Sequence, residues 1–140
     1  MGRKSAFIAI ALLAVALIAW LVLFRSEAPD PAMEQSDVSL SLSIPDFSTE
    51  QLAGKALFDA NCATCHGANA AGSEQGPPLV HRIYEPSHHG DQAFILAALN
   101  GVRAHHWQFG NMPPVKGVSE SDVGKITNYI RTIQRANGID

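Results

Sequence analysis

Apolar positions in this chain fall into one unbroken block and three periodic ones, and the gaps between them hold most of the turn residues. The block runs from Ala6 to Phe24, nineteen residues without a charge, a glycine or a proline. As a helix rising ~1.5 Å per residue it spans about 28 Å, close to the hydrocarbon thickness of a bilayer. A cleaved secretory signal is the competing reading, but such apolar regions usually run ~7–15 residues. The one small-residue pair at the right offset, Ser26 and Ala28, would also leave Pro29 first in the mature chain, and the chain has no lipobox cysteine. The expectation is a single transmembrane anchor that stays attached. Arg3 and Lys4 precede the block, so the positive-inside rule keeps the N-terminus in the cytoplasm and exports the C-terminal remainder of the chain, with Arg25 a weaker opposing charge.

The periodic blocks predict three helices. Residues 49–61 open with Ser48-Thr49-Glu50-Gln51, a capping box, and place Leu52, Ala56, Leu57 and Ala60 on one face with Gly54 and Phe58 beside them. Glycine inside a helix costs ~1 kcal/mol against alanine and is usually kept where a second helix must come close. Asp91 to Asn100 reads as a short helix carrying Phe94, Ile95, Ala98 and Leu99, stopped by Asn100-Gly101. The last helix begins at Ser119-Glu120-Ser121-Asp122, a second capping box, buries Val123, Ile126, Ile130 and Ile133, and ends at Asn137-Gly138.

Residues 67–90 and 102–117 read as loops. Residues 27–47, with Pro29, Pro31 and Pro45 and no helical period, read as a tether, although the alternation of Val38, Leu40, Leu42 and Ile44 also fits an edge strand lying on the domain. The chain thus divides into an anchor over 1–25, a flexible linker over 26–47 and a small all-α domain over 48–140.

Charge removes one class of function. From residue 27 onward seven Lys and Arg face thirteen Asp and Glu, a net charge of −6. That balance excludes a nucleic-acid binder and suits partners with basic docking patches.

Candidate chemistry concentrates at Cys62-Ala63-Thr64-Cys65-His66. Two thiols three positions apart can each form a thioether to one haem vinyl group, and the adjacent imidazole then serves as an axial iron ligand. Zinc fits poorly: these are the only two cysteines, and His81 and His88 or His105 and His106 do not have the spacing of a Cys2His2 site. A thioredoxin-like pair lacks its preceding strand, and a disulfide closing so short a loop is strained and gains little entropy. Haem attachment is also consistent with composition, because only 7% of residues are aromatic and an apolar macrocycle supplements a thin core. For the second axial position, Gly110-Asn111-Met112-Pro113-Pro114 offers a thioether stiffened by two prolines, the alternative being that Met112 simply fills the core. A methionine ligand donates little charge and favours Fe(II).

With these residues the sequence resembles the class I c-type cytochromes, in particular the small bacterial membrane-anchored monohaem type. The resemblance covers residues 47–138 and rests on Gly54 and Phe58 before Cys62-Ala-Thr-Cys-His66-Gly67, on Gly76-Pro77-Pro78-Leu79, on Gly110-Asn-Met112-Pro113 and on Tyr129-Ile130. It implies one covalent haem c held by Cys62 and Cys65 and ligated by His66 and Met112. It implies a Pro77 carbonyl that accepts the His66 Nδ1–H, and a first and last helix crossing at Gly54 and Phe58 against Tyr129 and Ile130. It also implies attachment of the haem outside the bacterial inner membrane, which puts the domain in the periplasm as the anchor does. The implied function is single-electron transfer between redox protein partners, with no catalytic residue and no small-molecule substrate.

All six histidines lie between positions 66 and 106, and four form the doublets His88-His89 and His105-His106. They can cap helices and line loops at the haem edge, hold a second metal such as copper, or compete with Met112 for iron. Trp107 and Arg82 can donate to a haem propionate. Two alternatives to a carrier stay open: a haem enzyme or sensor in which Met112 is displaceable, and a His-rich copper-binding module.

Overall fold

A computed structural model describes residues 42–140 and, before them, Leu13, Leu17, Ala19 and Trp20, which are helical. Apart from those four residues and 42–47, the anchor expected over 1–25 and the linker expected over 26–47 lie outside the described residues. Among the described residues no helix is long and apolar enough to cross a membrane. The chain divides into two compact units, residues 1–35 and 36–140, and the second carries the chemistry.

That unit is all-α: α1 (Thr49–Asn61), α2 (Ala63–His66), α3 (Asp91–Asn100) and α4 (Glu120–Ala136), with 3-10 turns at Ala68–Ala70 and Arg82–Tyr84 in the loop read between α2 and α3. Local chemistry sets the helix ends. Ser48 Oγ accepts the Gln51 N–H at 3.3 Å while Gln51 Oε1 accepts the Ser48 N–H at 2.8 Å. Ser119 and Asp122 repeat the exchange at the start of α4, at 3.2 and 3.0 Å. Gly101, at φ 76°, ends α3 in the left-handed region open to glycine.

The core lies chiefly between α1 and α4, where Phe58, Ile126, Tyr129, Ile130 and Ile133 are buried with Leu79 and Val80. Each such side chain contributes roughly 1.5–3 kcal/mol by leaving water. A Cβ built on Gly54 would overlap the Lys125 carbonyl and sit 3.2 Å from Tyr129 Cβ, so the two backbones meet at this glycine. Phe58 and Tyr129 pack with ring centroids 5.7 Å apart.

The inward face of α1 differs from the one the apolar pattern suggests. Gly54 and Phe58 are its buried residues, whereas Leu52, Ala56 and Ala60 are exposed and Leu57 is half-buried. Close approach of α4 over the glycine turns the helix away from its aliphatic stripe. Residues 42–47 form no strand. Asn137 instead clasps this stretch, its Oδ1 accepting the Ser43 N–H at 2.9 Å and its Nδ2 donating to the Ser43 carbonyl at 2.8 Å. Phe47 lies against Tyr129 with centroids 5.2 Å apart.

Candidate cofactor site

The end of α1 hands the chain to the cysteine pair. The Cys62 N–H bonds the Phe58 carbonyl at 2.8 Å, and the single turn of α2 then carries Cys65 and His66. Gly67, at φ 73°, reverses the chain so that the next ten residues fold back beneath this turn. The Gly72 N–H bonds the His66 carbonyl at 2.7 Å, and Ser73 Oγ donates to the Cys65 carbonyl at 2.6 Å. Gly76 is buried, and a Cβ there would come within 2.7 Å of the Cys65 carbonyl oxygen. This packing delivers Pro77, whose carbonyl accepts the His66 Nδ1–H at 2.9 Å. Nδ1 is thereby the protonated nitrogen, and Nε2 keeps the lone pair that a metal requires. Burial lowers the His66 pKa, and the bond to Pro77 opposes that shift in part. The ring is neutral near pH 7.

Cys62 and Cys65 are free thiols. Burial, and then the neighbouring Cys65, push Cys62 up to about 11. A thiol protonated to so high a pH is not the low-pKa nucleophile of a disulfide exchanger.

Met112 arrives from the other side of the chain. It forms an isolated antiparallel bridge with Val102, the Val102 N–H to the Met112 carbonyl at 2.9 Å and the Met112 N–H to the Val102 carbonyl at 3.0 Å. Asn111 Oδ1 accepts the Ala104 N–H at 2.9 Å and closes the loop between them. A Cβ on Gly101 would lie 2.6 Å from the Met112 carbonyl oxygen, so glycine is needed there for space as well as for φ.

Cys62, Cys65, His66, Pro77 and Met112 all line one cavity of about 630 Å³. Phe94, Ala97, Val123, Ile126 and Ile130 are among its apolar walls. This explains α3, in which no residue is fully buried: Ala93, Phe94, Leu96, Ala97 and Ala98 face a space that a cofactor, not protein, would fill, while Ile95 and Leu99 of the expected apolar face do not line it. The lining suits a flat, mostly apolar macrocycle. One polar observation sharpens the fit. Trp107 Nε1 is buried without a hydrogen-bond partner. It lies near enough to the Tyr84 hydroxyl to oppose slightly the rise that burial gives that phenol, yet no bond of ordinary geometry joins them. A buried N–H without an acceptor is costly, and a carboxylate side arm of the macrocycle would satisfy it. Arg82 is exposed and does not line the cavity.

The histidine doublets converge. His88 and His89 meet His105 and His106, with ring centroids 4.6 Å apart for His88–His89, 5.2 Å for His88–His106 and 4.3 Å for His105–His106. His106 is lowered in pKa by desolvation and then by His105, His89 and His88. His81 stands apart, its Nδ1 accepting the Ile83 N–H at 3.2 Å to cap a 3-10 turn. Two contributors have no sequence signal of their own. Val102 sits in an unpatterned loop, and Arg131, which anchors the turn before α3, lies off the regular apolar stripe of α4.

A family model for cytochrome c matches residues 51–134. Over 85 residues the chain is 34% identical to the cbb3-type cytochrome c oxidase subunit CcoP of Rubrivivax gelatinosus, covering 59% of this chain and 26% of that protein. It is 33% identical over 102 residues to the CcoP subunit of Azospirillum brasilense, covering 66% and 32%. It is 31% identical over 90 residues to cytochrome c-554(547) of Halothiobacillus neapolitanus, covering 59% and 94%. The chain therefore spans less than a third of either oxidase subunit and nearly all of the third relative. No solved structure matches.

Proposed function

The chain belongs to the cytochrome c family, and on that premise we propose that it is a membrane-tethered monohaem electron carrier of the periplasm, passing single electrons between redox proteins. As a class I c-type cytochrome it carries haem c covalently, and the haem supplies a one-electron Fe(III)/Fe(II) couple. In this reading Cys62 and Cys65 would hold the macrocycle by thioethers, and His66 and Met112 would supply the nitrogen and sulfur ligands to its iron.

The carrying observation is that Cys62, Cys65, His66 and Met112, from two separate parts of the chain, line the same cavity. The Pro77 carbonyl fixes the tautomer and orientation of His66 and raises its basicity. The Val102 bridge and Pro113 hold Met112 in place, which a weak neutral ligand needs if it is to stay bound in both oxidation states. Apolar walls from α3 and α4 keep water away and disfavour net charge at the iron, which raises the potential. The unpaired Trp107 Nε1–H would donate to a propionate. The run from Ala6 to Phe24 supports the tether, and the charge of −6 after it supports basic docking partners. Likeness to oxidase subunits supports a respiratory electron-transfer chain as the setting.

The test is the optical spectrum of the ferric protein beside Met112→Ala. The weak long-wavelength band of methionine sulfur on Fe(III) is expected in the parent and absent in the variant. A high-spin or bis-histidine parent would overturn the ligand set.

A further inference from the structure

The four clustered histidines are exposed or half-buried, lie outside the proposed ligand set and are held by two different loops. His88 and His89 end the turn after Tyr84, where both backbone N–H groups bond the Glu85 carbonyl, at 3.0 and 2.8 Å. His105 and His106 belong to the loop that closes on Met112.

We propose that His88, His89 and His106, with His105 beside them, bind one divalent transition-metal ion, Cu2+ before others, at the edge of the haem cavity. One ligand nitrogen from each of the first three lies within 4.8 Å of the other two. His88 Nε2 and His106 Nε2 are 3.3 Å apart. That is roughly the nitrogen–nitrogen edge of a site with ~2.0–2.1 Å metal–nitrogen bonds, so this pair needs little movement. His89 Nδ1 donates to the Ile83 carbonyl at 2.6 Å and His105 Nδ1 to the Arg103 carbonyl at 2.8 Å. Both are therefore fixed with the lone pair on Nε2, by the backbone-carbonyl bond that usually orients a metal-binding imidazole. The exposed rings of His88 and His106 are free to turn the last fraction of an ångström.

The donor set chooses the ion. Neutral nitrogen ligands without a carboxylate disfavour Mg2+ and Ca2+, which take oxygen. Among first-row divalent ions imidazole sites follow the order that peaks at copper, with Zn2+ weaker. The alternative is that four imidazoles simply pack at the loop junction, joined by an N–H to N hydrogen bond between His88 and His106. Location gives the site a consequence. His89, His105 and His106 also line the cavity, and the last two share a loop with the Met112 bridge. An ion there ties the Tyr84–Gly90 turn to the loop that presents the methionine.

The experiment uses the haem-loaded full chain, so that thiols and Met112 do not compete, and titrates it with Cu2+ alone and separately with Zn2+. One equivalent of Cu2+ should remain through gel filtration and show nitrogen hyperfine structure in its electron paramagnetic resonance, and Zn2+ should compete for the same site. The double substitution His88→Ala, His106→Ala should weaken Cu2+ binding at least about a hundredfold, beyond the loss usual for a supporting group. An unchanged far-ultraviolet circular dichroism spectrum and a retained methionine–iron band in that variant show that the domain and its iron ligation are intact, separating this result from any failure of iron ligation. Absence of one-to-one binding by either ion, or unchanged affinity in the double variant, overturns the proposal.

Discussion

Val102 and Met112 exchange both of their backbone hydrogen bonds, at 2.9 and 3.0 Å, across a loop of nine residues. The pair joins the end of α3 to the proposed distal ligand, so the position of the sulfur depends on the backbone of a second residue. Val102→Pro removes one donor and leaves the Met112 carbonyl with one partner fewer, a loss of about 1 kcal/mol. Because 1.4 kcal/mol is a tenfold change in equilibrium, added imidazole should displace Met112 from ferric iron at a concentration up to about fivefold lower. Spectral titration of the long-wavelength band measures this, and an unchanged midpoint would mean that Pro113 and Pro114 alone hold the methionine.

Gly54 gives a second prediction, in which two effects oppose each other. Alanine should favour α1 by up to about 1 kcal/mol on propensity, yet its Cβ would overlap the Lys125 carbonyl of α4. Overpacking against backbone costs typically 1–3 kcal/mol and has no flexible side chain to absorb it. Gly54→Ala should therefore lower unfolding stability, while Gly124→Ala, with nothing within 4 Å of its Cβ, should not. Guanidinium melts of the two haem-loaded variants compare them directly.

The contrast between these glycines marks what the sequence alone makes legible. Helix ends are readable because capping is local: Ser48 with Gln51 and Ser119 with Asp122 lie within four residues of each other. The cysteine motif is readable for the same reason. The face of α1 is not, because Leu52 and Ala56 satisfy an amphipathic pattern while α4 approaches over Gly54 and Phe58 instead. Nor is the histidine cluster: two doublets sixteen residues apart are plain in the sequence, but only the fold makes neighbours of them.

The cap of α4 carries a pH dependence. The Ser119 hydroxyl and backbone N–H, donating to Asp122, hold its carboxyl below the usual range. A folded pKa below the unfolded one means that this group stabilises the protein above the unfolded value and loses that contribution as pH falls through the folded value. Asp122→Asn keeps an acceptor but not the charge. Thermal melts should show the parent more stable than Asp122→Asn at pH 6, with the gap closing below about pH 4 as the parent carboxyl takes up its proton. A gap that is constant down to pH 3 would show that geometry rather than charge makes the cap.

Arg131 and Asp91 form an ion pair whose two ends should behave very differently. The guanidinium side chain is 6% exposed and the carboxylate 71%, with Nε to Oδ1 at 2.8 Å. The same guanidinium also donates to the Tyr84 and His89 carbonyls and to Gln134 Oε1, and lies 4.9 Å from the centroid of the Phe94 ring. Losing Asp91 leaves a cation that still has three oxygen acceptors, so Asp91→Asn should cost less than about 1 kcal/mol. Losing Arg131 takes the donor from the buried Gln134 Oε1 and from the part-buried His89 carbonyl at once, while the Tyr84 carbonyl keeps Gln134 Nε2 at 3.2 Å, and Arg131→Ala should cost about 3 kcal/mol. Lysine should restore little of this, since one ammonium cannot fan across acceptors on the turn, on α3 and on α4 together. Denaturation of the three variants decides the matter, and equal losses for Asp91→Asn and Arg131→Ala would mean that the pair, rather than the carbonyl clasp, holds the Tyr84–Gly90 turn against α4.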